Sequence, residues 1–512
     1  MAKIYIARVR TNHELSWRVP PAFRTAARVL RLRYADRILS RIDGKPFLAQ
    51  MTTYYLAALG EAAARARGTD HTFEVIEAHE RSFEVPGDAD LVLFTVNTVA
   101  APATYRIADG LRRRGVPVLL GGIHVTMMPG EAAGHADGIA TGEAEAMFDQ
   151  LLADFEATGR PRPQYRGGRV ESLAGLPLPR WPRPPAEDAC PWVIPLQTSR
   201  GCRNACAFCS TTRLQGAARR HRPVEDIVAE IRAYRESGIY DKDKTFFLTD
   251  NNSVSDTDHR RGLRDTTYAK SLFRALTPLG ISWKGQGEIS VADDPELLDL
   301  LAESGCDMLL VGFESLDQAN LGTVGKVGNR VEDYIRRIEA LHRHGIQLIG
   351  CFILGMDNDT TDVFDRTADF VQRYIDIPQI SVLTPFPGTA LFARMEREGR
   401  ILHRDWSRYD ITHVVFRPQR MSAAELEQGH REVLQKIFSW PRMLSRATRT
   451  ALQRLEPRIE RDPFADRWIS ALAPNLVYGS LGSVDPAAEA AADVRTSGRV
   501  STPPVASAKE AA

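Results

Sequence analysis

The 512-residue sequence is poor in cysteine and contains no long apolar run. Its cysteines number six, and no uninterrupted hydrophobic stretch reaches the roughly 18 residues that a membrane-spanning helix requires. The first residues, MAKIYIARV, are too few and too charged for a secretory signal and predict a strand instead. These features predict a cytoplasmic protein without a transmembrane segment, in which cysteines are more often metal ligands or redox groups than disulfide partners.

The sequence also lacks a marked excess of charge of either sign. Lys and Arg together number 66 and Asp and Glu number 65, so the formal net charge is +1. A global affinity for nucleic acid needs a positive surface, and the sequence gives no support for that class of partner. The hydrophobic content of 43% and charged content of 26% are those of an ordinary globular protein with room for two or three domains.

Alternating strand-like and helix-like segments predict two α/β regions. In the first, the strand-like runs DLVLFTV (90–96) and VPVLLGG (116–122) flank the helical pattern PATYRIADGLRRRG (102–115). Such repeats favour a doubly wound parallel sheet with helices on both faces, as in Rossmann-like folds. In the second, six strand–helix units are too few for a complete eight-stranded barrel and predict a partial (β/α)6 barrel. Its predicted strands begin at Trp192, Thr245, Ile281, Asp307, Gln347 and Gln379.

These patterns divide the sequence into five predicted segments. They are an N-terminal α/β domain (1–175), a proline-rich linker (176–190), the partial barrel (191–388), a helical C-terminal region (389–478) and a disordered tail (479–512). Within the helical region, residues 434–455 are basic and amphipathic. That pattern is compatible with contact with a membrane surface, but it is more typical of a helix that covers the barrel.

Three of the six cysteines lie in one loop after the first barrel strand, at Cys202, Cys206 and Cys209. Active sites of such barrels lie at the carboxyl ends of the strands. Three thiolates with C-x3-C-x2-C spacing can hold three corners of an iron–sulfur cubane and leave the fourth iron open. The alternatives are buried bystander cysteines or a zinc site, which would need a fourth ligand such as the nearest histidine, His221.

The cysteine motif, its position and the six strand–helix units resemble the radical SAM superfamily, over about Trp192 to Pro387. The resemblance implies a 4Fe–4S cluster whose open iron binds the amino and carboxylate groups of S-adenosylmethionine. It implies that an electron from the cluster cleaves S-adenosylmethionine to a 5′-deoxyadenosyl radical, which takes a hydrogen from the substrate. An external electron donor such as flavodoxin or ferredoxin is implied as well.

The same resemblance implies further contacts with S-adenosylmethionine or with the substrate. Phe208, which precedes the last cysteine of the motif, would lie near the adenine. Glu314 suits a cationic ligand because it is a carboxylate at a strand end. Gln286, Glu288 and Ser290 follow another predicted strand. For each of them the alternative is core packing or an ordinary hydrogen bond at a strand end.

Within residues 90–149, a predicted strand ends at Asn97 and Thr98, and the turns GGIHVT (121–126) and GEAE (142–145) follow it. These pieces resemble the cobalamin-binding domain that precedes the barrel in one subgroup of radical SAM enzymes. Glycines in its turns would let the backbone approach a flat macrocycle. The D-x-H-x-x-G motif, whose histidine ligates cobalt in many cobalamin proteins, is absent. His124 is a candidate ligand, and its alternative is an ordinary hydrogen-bonding role. The residues that the resemblance implies as corrinoid contacts are Asn97, Thr98, Gly121, Gly122, His124, Gly142 and Glu143.

The two resemblances together predict a cobalamin-dependent radical SAM methyltransferase that acts on an unactivated carbon of a small-molecule or lipid metabolite. One alternative is a non-methylating radical SAM enzyme, which catalyses a cyclisation, dehydration, ring contraction or rearrangement and has a vestigial or accessory cobalamin-like domain. Another is a cluster-bearing sensor without turnover, which the polar residues at the strand ends disfavour. No motif in the sequence identifies the substrate.

Overall fold

The structure is a computed structural model that describes residues 1–11, 50–181, 193–241, 244–453 and 475. The predicted disordered tail (479–512) lies outside the described residues, as does most of the predicted linker (176–190). The described part contains two six-stranded sheets and one two-stranded sheet. Both large sheets are parallel throughout, which confirms the α/β class predicted from the repeats.

The first sheet is doubly wound, with the strand order β2-β1-β3-β4-β5-β6. Its order reverses between β1 and β3, and ligands of such sheets bind beyond the carboxyl ends of the strands at this reversal. Its strands are β1 (Lys3–Arg10), β2 (Thr72–His79), β3 (Leu91–Thr95), β4 (Val118–Gly121), β5 (Gly138–Gly142) and β6 (Gln164–Gly168). Its helices are α1 (Met51–Ala66), α2 (Ala101–Arg113), α3 (Ile123–Met127), α4 (Pro129–Ala132) and α5 (Phe148–Thr158).

Strand β3 shows why this segment is a central strand. Its side chains alternate between two apolar clusters, with Val92 and Phe94 in one and Leu91 and Leu93 in the other. Helices therefore cover both faces, and a continuous apolar run is what a strand buried on both faces requires.

The second sheet has the order β14-β13-β12-β11-β10-β7, and within the described residues β7 and β14 are not paired with each other. The partial barrel and its six predicted strands are therefore confirmed. The strands from here on are β7 (Val193–Leu196), β8 (Ser199–Arg200), β9 (Arg220–His221), β10 (Thr245–Leu248), β11 (Trp283–Gly287), β12 (Cys306–Glu314), β13 (Gln347–Leu354) and β14 (Ile377–Val382). The helices are α6 (Thr211–Leu214), α7 (Val224–Glu236), α8 (Thr267–Leu276), α9 (Pro295–Glu303), α10 (Gln318–Thr323), α11 (Tyr334–Arg343) and α12 (Val363–Tyr374).

The two faces of the barrel sheet carry different side chains. On the outer face Phe313 of β12 and Phe352 of β13 stack with ring centroids 5.2 Å apart, beneath the helices. On the opposite face Met308, Ile349 and Ile377 form a separate small apolar cluster. The interior is thus closed by apolar side chains towards the amino ends of its strands, which leaves the carboxyl ends for chemistry.

Helices dominate the C-terminal region, with α13 (Ala390–Arg397), α14 (Ala423–Ile437) and α15 (Trp440–Gln453). Basic residues of α15 face the barrel rather than solvent. Arg446 is fully buried and donates to the Gln372 side chain at 2.9 Å and to the Ile437 carbonyl at 2.6 Å. This helix therefore covers the barrel, as its pattern favours. Among the described helices, none combines the length and the apolar character needed to cross a membrane.

Candidate active site

The cysteine loop is held by backbone bonds at its start and in its middle. Gly201 has a φ of +93°, and a Cβ there would collide with the Ala218 carbonyl, so a side chain is excluded immediately before the motif. The Cys202 amide donates to the Gly216 carbonyl at 3.2 Å. The Ala207 amide donates to the Val324 carbonyl at 2.9 Å, which ties the loop to the segment that follows β12.

Asp250, at the end of β10, fixes the start of this loop. Its buried carboxylate accepts bonds from the Thr198 amide at 3.1 Å, from the Thr198 hydroxyl at 3.0 Å and from the Ser199 hydroxyl. Burial raises the pKa of Asp250 above its ordinary value. The residue therefore acts as an anchor of the loop from the neighbouring strand.

The three thiols of the loop interact with one another and with a buried cation. The pKa of Cys206 is raised to about 12, mainly by burial. The thiols of Cys202 and Cys209 add to this shift, and the nearby Lys326 opposes it. Burial also raises the pKa of Cys202, and Cys209 adds to that shift. The thiols therefore lie near enough to one another for their charges to interact.

The zinc alternative finds no support in the described ranges. In them no group of three or more His, Cys, Asp or Glu side chains is arranged to hold a metal ion. His221 is hydrogen-bonded to Asp256 at 2.7 Å and stacks on Tyr268 with ring centroids 3.9 Å apart. Its contacts are therefore with these two residues rather than with the cysteine loop. A cubane spreads its thiolates over three irons, so the cysteines of the loop need not converge on one point.

Glu314 and Lys326 form a buried ion pair beside the thiols. The Lys326 ammonium lies 3.0 Å from a carboxylate oxygen of Glu314, and both side chains are less than a fifth exposed. Burial lowers the pKa of Lys326, but Glu314 and Cys206 outweigh that effect and raise it. The pair lies over Gly312, where a Cβ would collide with the Glu314 carboxylate. Lys326 is not predicted from the sequence, where its only signal is its place in the glycine-rich stretch GTVGKVG.

The other predicted barrel contacts have different surroundings. Glu288 is buried and binds His259 at 2.6 Å and the Ser255 hydroxyl, so protein groups already occupy its carboxylate. Burial alone raises the pKa of Glu288, but His259 lowers it overall. Gln286 and Ser290 are half-buried, and Phe208 is half-buried against the barrel core.

A further polar pair, missed in the sequence analysis, lies on the inner side of the sheet. The Cys351 thiol of β13 donates to the side-chain oxygen of Gln379 of β14 at 3.4 Å. Burial raises the pKa of this thiol, and the Glu314 carboxylate raises it further. Its inward position became apparent only when the strand was seen in the sheet, because a single strand does not show which of its faces is inside.

At the carboxyl edge of the first sheet, the predicted contacts are divided between open and enclosed positions. Asn97 is half-buried and accepts from the Ala100 amide at 2.9 Å, which forms the turn after β3. Thr98 is buried, and its hydroxyl lies 3.4 Å from Nδ1 of His124. His124 is fully buried and lies edge-on to Trp406 of the C-terminal region at 5.5 Å. Burial lowers the pKa of His124.

The glycines at this edge serve the packing of the protein itself. Gly122 has a φ of +98°, and a Cβ there would lie 2.6 Å from the Val96 amide. Gly142 has a φ of +83°, and a Cβ there would lie 2.8 Å from the Gly168 carbonyl. Gly121 is half-buried at the end of β4 with only ordinary contacts around it. Glu143 is buried, and Arg220 of the second region binds its carboxylate.

The donor sets suit the three cofactors to different degrees. The three thiols of the cysteine loop are the donor type that an iron–sulfur cluster needs, and the Glu314–Lys326 pair beside them offers both charges to a zwitterionic ligand such as S-adenosylmethionine. For a corrinoid, the structure offers the edge at the β1–β3 reversal with Asn97 and Gly121 half-buried there. Neither His124, which is enclosed, nor Glu143, which is paired, lies free at that edge.

Comparison with known families matches three parts of the chain. The radical SAM superfamily matches residues 196–371, and the B12 binding domain matches residues 55–152. A domain of unknown function, DUF4070, matches residues 389–474. The matched order, B12 binding domain followed by radical SAM domain, is the order predicted from the sequence.

Among curated proteins, the chain is 30% identical over 382 residues to bacteriochlorophyllide d C-12(1)-methyltransferase of Chlorobaculum tepidum, covering 73% of this chain and 81% of that protein. It is 28% identical over 298 residues to hopanoid C-2 methylase of Rhodopseudomonas palustris, covering 57% of this chain and 54% of that protein. Both names describe methyl transfer.

Among solved structures, the radical S-adenosylmethionine methyltransferase TsrM of Kitasatospora setae, with cobalamin and a [4Fe-4S] cluster bound, superimposes with a TM-score of 0.55 at 16% identity. The match covers 94% of this chain and all of that one. The two proteins therefore share their fold over nearly the whole length of this chain. Together with the family matches and the curated relatives, it shows that this chain belongs to the radical SAM superfamily, in the group whose members carry a B12 binding domain before the radical SAM domain.

Proposed function

We propose that the protein is a cobalamin-dependent methyltransferase that transfers a methyl group from S-adenosylmethionine to an unactivated carbon of a small-molecule or lipid substrate. The observation that carries this proposal is the presence, in one chain, of a B12 binding domain and a cysteine loop that faces a buried Glu314–Lys326 pair. The names of the relatives, which methylate a bacteriochlorophyllide and hopanoids, support methylation of carbon.

In this proposal the residues of the barrel bind and orient S-adenosylmethionine. Cys202, Cys206 and Cys209 hold the cluster and leave one iron for the ligand. Lys326 faces the ligand's carboxylate and Glu314 its ammonium, because the pair offers one charge of each sign beside the thiols. When bound, the cluster supplies the electron for reductive cleavage and the corrinoid supplies the methyl carrier.

The remaining predicted contacts take supporting roles. Phe208 packs beside the adenine, and Gln286 and Ser290 border the ligand from the neighbouring strand. Glu288 holds His259 in place rather than binding the ligand itself, because its carboxylate is already hydrogen-bonded within the protein. At the first sheet, Asn97, Thr98, Gly121, Gly122 and Gly142 shape the corrinoid edge.

The proposal also includes a reducing partner and a reducing compartment. Cleavage of S-adenosylmethionine consumes an electron, so we propose a low-potential donor such as flavodoxin or ferredoxin. The five described cysteines are free thiols, as expected for a protein of the cytoplasm, where such donors work.

The first experiment is an optical spectrum of protein purified without oxygen from cells supplied with cobalamin, before and after reconstitution of the cluster. A stoichiometric corrinoid spectrum together with the broad iron–sulfur absorption is the expected result. Iron–sulfur absorption without any corrinoid would overturn the cobalamin-dependent assignment and favour a non-methylating radical enzyme.

The second experiment traces the methyl group. The reduced, cofactor-loaded protein is incubated with S-adenosylmethionine carrying a deuterated methyl group and with a metabolite and lipid extract of the source cells. The expected result is a metabolite that gains the labelled methyl group. Formation of 5′-deoxyadenosine with an altered but unlabelled metabolite would instead assign a cyclase-like or rearrangement reaction.

A further inference from the structure

Two acidic residues of the GEAE turn bind arginines of the second region. Glu143, directly after β5, accepts from Arg220 at 2.8 Å and 2.5 Å, one bond to each carboxylate oxygen. The Val170 amide donates to the same carboxylate at 2.7 Å. The Glu143 side chain is 6% exposed and that of Arg220 is 14% exposed. Burial alone raises the pKa of Glu143, but Arg220 lowers it overall, which keeps the carboxylate charged.

The second acidic residue of the turn makes a parallel set of contacts. Glu145 lies 2.7 Å from a guanidinium nitrogen of Arg200 and accepts from the Tyr55 hydroxyl at 2.7 Å. The side chains of Glu145 and Arg200 are each 9% exposed. Arg200 also lies 3.6 Å from Glu143, so the two ion pairs form one buried network, which we call the charged clamp (Glu143, Glu145, Arg200 and Arg220).

The charged clamp connects the two places where cofactors belong. Its acidic half follows the carboxyl end of β5, at the ligand edge of the first sheet. Its basic half is the β8–β9 pair, in which Arg200 lies opposite Arg220 and two residues before Cys202. The corrinoid edge and the cysteine loop are therefore joined by one bidentate contact, between Glu143 and Arg220, and by the single contact of Glu145 with Arg200.

Stability alone is a poor explanation for such a network. Buried ion pairs contribute little net free energy compared with apolar packing, because the desolvation of the charges offsets their attraction. A shifted pair, however, leaves charges buried and unpaired, so such a network penalises displacement of the two domains from each other. A domain interface that only needed to adhere could use apolar side chains instead.

We infer that the charged clamp positions the corrinoid domain over the cysteine loop, and that Glu145 and Arg220 are positioning residues for methyl transfer. The inference rests on the proposed function. It predicts that loosening the clamp impairs transfer of the methyl group between the two cofactor sites more than it impairs cleavage of S-adenosylmethionine, which needs only the barrel. A misplacement near 1 Å costs on the order of 100-fold in rate.

The structural test uses the cofactor-free full chain and hydrogen–deuterium exchange. The variants are Glu145→Gln and Arg220→Gln, with Arg220→Lys as a graded variant that keeps the charge but loses the forked contact. The matched control is Glu156→Gln, which breaks an Arg67–Glu156 pair of 2.6 Å that stays within the first domain. Faster exchange in both 140–147 and 196–222 for the clamp variants, and not for the control, is expected. Unchanged exchange in all of them overturns the inference.

The functional test measures two products of S-adenosylmethionine in the reduced, cofactor-loaded protein without any added substrate. S-adenosylhomocysteine reports methyl transfer, and 5′-deoxyadenosine reports reductive cleavage. The ratio of the first to the second is expected to fall roughly 10- to 100-fold in Glu145→Gln and Arg220→Gln, less in Arg220→Lys, and not in Glu156→Gln. An equal loss of both products, or no change in their ratio, contradicts a positioning role.

The two ideas can fail separately. Wild-type protein that binds corrinoid but forms no S-adenosylhomocysteine overturns the proposed function, and the inference with it. Wild-type protein that forms both products, with clamp variants that keep the wild-type ratio, overturns the inference alone.

Discussion

At the scale of single residues, the site combines buried charge with a strained backbone. Glu314 has a φ of +66°, one of two non-glycine residues among those described with a positive φ. Its strand register shifts at the same point, and Asn329 donates to the carbonyls of Gly312 and Phe313 at 2.9 Å and 3.1 Å. Such a conformation costs about 1–3 kcal/mol and persists where the surroundings enforce it, which is typical of functional sites.

The cluster ligands can be tested by substitution. Cys202→Ala, Cys206→Ala or Cys209→Ala is expected to abolish both the iron–sulfur absorption and the formation of 5′-deoxyadenosine, because the remaining two thiolates cannot hold the cubane. The control is Cys306→Ala, a buried cysteine of β12, which should keep both signals. Cleavage of S-adenosylmethionine by the triple variant would contradict the site assignment.

Lys326 can be tested against a matched ion pair of the same barrel. Lys326→Met is expected to weaken binding of S-adenosylmethionine to the cluster-loaded protein roughly 10- to 100-fold, the size of one lost bond to a charged group. The control is Lys284→Met, which breaks a 2.6 Å pair with Asp307 at the amino ends of the strands. Equilibrium dialysis with labelled ligand measures both, and equal affinities in the two variants would exclude Lys326 from the ligand site.

At the scale of elements, a buried carboxylate adds to the contacts that join the C-terminal helix to the barrel. Asp376, just before β14, accepts from the Leu348 amide at 2.8 Å, from His342 at 2.9 Å and from the Thr450 hydroxyl of α15 at 2.7 Å. Burial alone raises the pKa of Asp376, but His342 and Arg449 lower it to about 2. The residue thus connects β13, α11 and α15 as long as it is charged.

This connection predicts a pH dependence. The pKa of Asp376 in the folded protein, about 2, lies below its ordinary value of 3.8. The carboxylate therefore stabilises the fold fully above pH 3.8, and this contribution is lost as the pH falls through about 2. Asp376→Asn is expected to lower the free energy of unfolding by about 3 kcal/mol at neutral pH, with a gap to wild type that narrows as the pH approaches 2. Denaturant titrations at several pH values measure this.

The control for that experiment is Asp365→Asn. Asp365 is 83% exposed and pairs with Lys436 on the surface, so its substitution should leave the unfolding midpoint unchanged at every pH. If the difference in unfolding free energy between Asp376→Asn and wild type stays constant down to the lowest pH, the stabilising contribution of this residue does not depend on its ionisation.

At the scale of the whole molecule, the corrinoid domain contacts both other regions through buried polar groups. The charged clamp joins it to the barrel, and Trp406 of the C-terminal region donates to both oxygens of Glu131 at 3.0 Å. His124 lies beside this contact. The first sheet is therefore held against both other regions by buried polar contacts near its carboxyl edge.

Linkage gives a prediction at this scale. A ligand that binds only the folded chain stabilises it, by about 2.7 kcal/mol at a free concentration 100 times its Kd. Hydroxocobalamin is therefore expected to raise the thermal midpoint of the cofactor-free protein in a concentration-dependent way. Haemin, a flat macrocycle of different chemistry, is the control. A midpoint that does not respond to hydroxocobalamin, or that responds equally to haemin, would contradict a specific corrinoid site.

The sequence by itself determined the two parallel α/β regions and the cysteine loop. Apolar runs, helical spacing and glycine stops are local properties, so strands such as β3 and β10–β14 could be placed from them. The spacing of Cys202, Cys206 and Cys209 is equally local, because a short loop brings its own residues together in any fold.

Only the tertiary structure decided which charges meet. Glu314 and Lys326 are 12 residues apart, and Glu143 and Arg220 are 77 residues apart, so no local pattern links either pair. For the same reason no sequence pattern could show that the Glu143 carboxylate pairs with an arginine of the barrel or that His124 is enclosed beside Trp406. Long-range partners depend on how the sheets stack, and a buried charge has to find its partner in three dimensions wherever the chain brings it.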